Sequence, residues 1–104
     1  MAFADNLQQL PTVAHLAALS LSNAQGEVVA TIENKPGQAG SLRLYAALAA
    51  QHGSINVAAA QEGLALYAEH TADAQAFPGK HPNIDRLIAI VASGQALSVQ
   101  LVAA

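Results

Sequence analysis

The chain has 104 residues, no cysteine, and a formal charge of −3 on only 11% charged residues. That length fits a single domain, residues 1–104, and the missing cysteine excludes a disulfide framework, thiolate metal ligation and a cysteine nucleophile. Four Lys or Arg without a basic cluster argue against nucleic acid, and no apolar run approaches the roughly 20 residues a membrane span needs. The opening MAFADNLQQL lacks the basic and apolar regions of a leader, so the expectation is a soluble, cytoplasmic protein. Alanine fills 25 positions, and only Phe3, Tyr45, Tyr67 and Phe77 are aromatic. Alanine favours helix but buries little area, so the expected core is thin for the length.

In chain order, residues 3–9 read as a short helix closed by Pro11. Residues 16–22 alternate apolar and small polar side chains, and 27–33 are rich in β-branched ones, with SNAQG as a turn between them. These predict a β-hairpin. NKPGQAGS is a breaker in which Lys35-Pro36-Gly37 suits a type II turn. Ser41 is then the expected N-cap of LRLYAALAAQH, with Leu44 and Leu48 as its apolar pair and Gly53 closing it.

Residues 54–70 admit two readings. Glu62-Gly63 would turn a second hairpin between INVAAA and LALYAEH. Against that, Val57, Ala60, Leu64, Tyr67, Thr71, Ala74 and Phe77 recur at spacings of three and four, a helical stripe. The stripe predicts one helix over 57–76, although Gly63 costs about 1 kcal/mol inside it. HPNIDRLIAIVASG starts a further helix at Pro82, with His81 or a neighbour as cap and Asp85 in the first turn. Ile84, Leu87, Ile88 and Val91 line one face of it, and Gly94 ends it. ALSVQLV, 96–102, alternates as a half-buried strand. The predicted fold is α+β: a small antiparallel sheet, made of the N-terminal hairpin and the C-terminal strand, covered by about three helices.

The whole chain, above all YAEHTADA followed by PGKHPNIDRL, resembles a family of roughly hundred-residue bacterial proteins catalogued as domain of unknown function twenty-three twenty-two. The resemblance implies a bacterial, cytoplasmic protein; it carries no activity and no site residue.

The densest polar constellation is Glu69, His70 and Asp73, followed by His81 and Asp85. On a helix the first three share a face, and a reversal at AFPGK would bring His81 and Asp85 toward them. Imidazole and carboxylate together can bind a metal or move a proton. Each piece also has a bland account: a solvated face, a turn at Pro78-Gly79, a helix start, an acid serving the helix dipole, and Arg86 pairing with Asp73. No metal-ligand spacing such as H-E-x-x-H is present, and the bland account is preferred. KPGQAGS before a helix has the look of a phosphate cradle but lacks the P-loop ending, so turn plus cap explains it better. His15 beside the first strand and His52 at a helix end have structural explanations, and no G-x-S-x-G elbow occurs.

Two hypotheses follow from these observations. The first is a non-enzymatic protein acting by association, as a homodimer through the uncharged strand 96–102 or the helical face beside it, or with another protein, and needing no cofactor or metal. The second is a small metal-dependent or acid–base enzyme using His70, Asp73, His81 and Asp85. Convergence of those four side chains separates them.

Overall fold

The computed structural model describes residues 2–104. Its elements are α1 (Phe3–Gln8), β1 (Leu16–Ser22), β2 (Val28–Glu33), α2 (Ala39–His52), α3 (Val57–Tyr67), α4 (Glu69–Ala76), α5 (Pro82–Ser93) and β3 (Ser98–Ala103). The strand order is β2-β1-β3 with both pairings antiparallel, so the N-terminal hairpin and the C-terminal strand form one three-stranded sheet. This is the α+β domain that the periodicities predict.

The hairpin closes because Asn23 organises its turn. The Asn23 Oδ1 accepts from the N–H groups of Gln25 and Glu27, each at 3.0 Å, and Gly26 takes a positive φ of 82°. Period-2 alternation then sorts the sheet's faces. Leu19, opposite Ile32 and Leu101, and Leu21, opposite Ala30 and Val99, lie on the face that meets the core. Ser20, Thr31 and Gln100 share the opposite face.

Above the sheet, α2 buries Leu42, Leu44, Tyr45 and Leu48, and α3 and α5 pack beyond it. Each leucine so buried contributes about 1.5–3 kcal/mol. The helices approach closely because small residues stand where they meet: Ala59 and Ala60 are fully buried, and so is the backbone at Gly63. Gly63 therefore has a packing reason that offsets its cost in a helix. Leu44, Leu48 and Leu87 fill the space a side chain would need there.

Three expectations change in detail. The helix predicted over 57–76 is two helices, broken at Ala68, whose φ of 52° and ψ of −116° lie outside the usual L-residue regions. Asn6 Nδ2 donates to Leu66 O at 2.9 Å and Thr71 Oγ1 to Leu64 O at 2.6 Å, so side chains take carbonyls at the break. The predicted stripe nevertheless runs on past it, through half-buried Thr71 to Ala74, which is 1% exposed, and fails only at Phe77, 58% exposed. The second change is at α2, which starts at Ala39, ahead of the expected cap Ser41; Gln38 occupies the cap position without a side-chain cap bond. Its Oε1 instead accepts from the N–H of Glu33 at 3.1 Å. The third is at α5, where His81 precedes Pro82 as expected but makes no side-chain cap bond. Gly53 and Gly94 close α2 and α5 in the left-handed conformation, as predicted.

Candidate functional site

A cavity of about 240 Å³ opens where the starts of α2 and α5 meet the break between α3 and α4. Phe3, Tyr67, Ser41, His70, Lys80 and His81 contribute its side chains, and Gly37 and Pro82 to Ile84 complete the wall. The Phe3 and Tyr67 rings stack at 5.1 Å, and His70 sets its ring edgewise to Phe3 at the same distance. The left-handed turn at Ala68 is what lets Tyr67 and His70, from different helices, share this floor.

The polar network has two parts. In the first, Asp73 Oδ2 takes His81 Nε2 at 2.6 Å and the Lys80 ammonium at 2.8 Å, clamping the α4–α5 connection onto α4. Lys80, then His81, hold the Asp73 carboxyl below the usual carboxylate range. In the second, the Tyr67 hydroxyl donates to Ser41 Oγ at 2.7 Å, and burial pushes its pKa upward. Nearby, the Tyr45 hydroxyl donates to the carbonyl of Asn83 and accepts from Arg86, and burial pushes it up to about 12. Arg86 donates to Asn83 Oδ1 at 2.8 Å, so it does not make the expected pair with Asp73.

Of the four candidates, the structure brings three together: His81 bonds Asp73, and the His70 and His81 rings lie 5.8 Å apart. Asp85 turns away and accepts the N–H of Gly79 at 2.9 Å, bracing the turn before α5. Glu69 takes the N–H of Phe3 at 2.8 Å, which holds its carboxyl low. Among the described residues no group of three or more His, Asp or Glu is placed to hold a metal ion. The other two histidines lie elsewhere, His52 facing Glu62 at 3.3 Å and His15 beside β1. Lys80 and Tyr67, which flank the predicted cluster in sequence, and Ser41 and Phe3, from distant segments, complete the site. The uncapped start of α2 at KPGQAGS is the one sequence signal that marks its second wall.

These features define an α+β fold with a polar cavity at two helix starts. The chain belongs to the family described as an uncharacterized protein conserved in bacteria (DUF2322), whose family model matches residues 3–101. That description names no activity. No curated protein matches the chain, and no solved structure matches it. Among the described residues no helix is long and apolar enough to cross a membrane.

Proposed function

We propose that this bacterial protein works by association, as a homodimer joined along β3. The observation that carries the reading is the open edge of that strand. Leu97 exchanges backbone hydrogen bonds with Ile55, and Ala104 N–H donates to His15 O on the β1 side. Backbone groups alternate sides along an antiparallel strand, so those of Val99 and Leu101 point away from β1. No charge and no proline guards the segment 96–104, and Leu101 and Val102 are 50% and 44% exposed. The other edge, β2, exposes Val28 and Val29 as well, but it ends in Glu33 and has Glu27 and Lys35 beside it, charges of the kind that discourage pairing. Antiparallel pairing of β3 with its symmetry mate would make a six-stranded sheet and close on itself. The cytoplasm is the setting we assign, since a chain without cysteine suits a reducing compartment. Sedimentation velocity at micromolar and higher concentrations tests the dimer: a single species near the 10.6 kDa monomer throughout would overturn it.

A second reading, acid–base work at His81, is favoured by the 2.6 Å bond to Asp73 at the cavity wall. With Nε2–H donated to Asp73, Nδ1 is left to accept a proton. The ring-nitrogen chemical shifts of His81 test it. A neutral ring protonated on Nδ1 would remove the reading.

A further inference from the structure

The cavity at the starts of α2 and α5 gathers donors and offers few free acceptors. Three of its side chains, His70, Lys80 and His81, can carry positive charge. The nearest carboxylates are already engaged: Asp73 by Lys80 and His81, and Glu69 by the N–H of Phe3. Ser41 Oγ accepts from Tyr67, which leaves its own hydroxyl proton to donate. The N–H groups of Gly40, Ser41 and Asn83 have no acceptor among the described residues. Gly37 and Ser41 of one helix start, and Pro82 to Ile84 of the other, line the cavity. Neither helix has a side-chain cap; α2 has no acidic residue in its first turn, and Asp85 in the first turn of α5 is engaged by the N–H of Gly79. Two partial positive poles therefore meet at one cavity already edged by a lysine and two imidazoles.

We propose that this cavity binds a small organic anion through its carboxylate or phosphate oxygens. Lys80 and His81 contact the oxyanion from the α4–α5 connection, while Ser41 and the free amides contact it from the start of α2. The stacked Phe3 and Tyr67 rings receive the ligand's carbon body. The volume of about 240 Å³ suits a short acid or a phosphate ester. The turn before α2 and the polar run before α5 are thus two halves of one site. The proposal rests on the cavity that the acid–base reading uses, but it requires binding alone.

Inorganic phosphate and acetate, titrated separately at constant ionic strength into the full chain, test it by amide NMR. The expected result is saturable shifts at Gly40, Ser41, Asn83 and Ile84 with at least one probe, and the tighter probe tells phosphate from carboxylate chemistry. Lys80→Ala should weaken that binding about tenfold, the size of one lost charge-assisted hydrogen bond. Asp73→Asn should tighten it, because it frees Lys80 and removes a competing carboxylate. The acid–base reading is tested apart from this, by the His81 ring-nitrogen shifts: a neutral ring protonated on Nδ1 sinks that reading alone and leaves the anion site standing. Absence of saturable shifts with both probes, or shifts unchanged in Lys80→Ala, would overturn the oxyanion site.

Discussion

Gly63 and Leu87 touch at the crossing of α3 and α5: a methyl group on Gly63 would sit 2.7 Å from Leu87 Cδ1 and 2.9 Å from Leu48 Cδ1. Both leucines are fully buried, so neither can swing into solvent. Gly63→Ala would gain about 1 kcal/mol of helix propensity but overpack the crossing by about 1–3 kcal/mol. The expected outcome is a net loss of stability in urea unfolding. Leu87→Ala removes the other side of the contact and should cost about 2–5 kcal/mol.

Ala68→Gly should act in the opposite direction. A non-glycine residue at that φ and ψ costs of order 1–3 kcal/mol, and glycine removes the penalty while losing up to about 1 kcal/mol through its freer unfolded chain. A raised urea midpoint is the expected result, and a fall would show that the turn is unstrained.

Stability should decline at both ends of the pH scale. At the alkaline end, Tyr45 ionises at about 12 when folded, against about 10 when unfolded. Between those values the folded state holds a proton that the unfolded chain has released, so stability falls as pH rises through the interval. Tyr67 is raised by burial too and adds in the same direction. Tyr45→Phe should flatten this limb. At the acid end, Asp73 is held low by Lys80 and His81, so its contribution is present above the ordinary carboxylate range and lost as pH falls through its folded value. Asp73→Asn should flatten the acid limb. Urea midpoints measured across pH check both limbs.

Leu101→Lys should abolish the proposed dimerisation and leave the fold intact, because the side chain is half exposed and a lysine on an edge strand blocks pairing. Gln100→Pro is the contrasting change. Its backbone faces β1, so proline there removes a ladder bond and should lower the melting temperature as well. Sedimentation velocity and a thermal melt on both variants separate association from folding.

The hairpin, α5 and β3 are legible in the sequence because each carries a period and a turn residue in agreement. The break at Ala68 is not legible: LYAEHT contains neither glycine nor proline, and the bonds that accompany the break, Asn6 to the Leu66 carbonyl and Thr71 to the Leu64 carbonyl, have no local sequence signal. Half of the site is legible for a similar reason. His70, Asp73 and His81 lie within a dozen residues, so helical spacing and one reversal bring them near. Asp85 fits the same spacing but is drawn to the N–H of Gly79. Ser41 and Tyr67 meet only through the packing of α2 against α3, and local pattern holds no trace of that.

The strand order has a consequence for how the chain reaches this state. β1 pairs with β2 across a five-residue turn, but its other edge waits for β3, where Ser20 meets Gln100. Five of the eight elements, β2 and α2 to α5, lie inside the loop that this second pairing closes. Loop closure grows slowly dearer with length, while the sheet returns nothing for it until the ends meet. The hairpin and the individual helices can flicker into being early, yet the central strand stays half-paired until the whole helical layer has condensed. On that ground β3 is expected to register last, and the length of chain between β1 and β3, more than any single side chain, is expected to set the barrier.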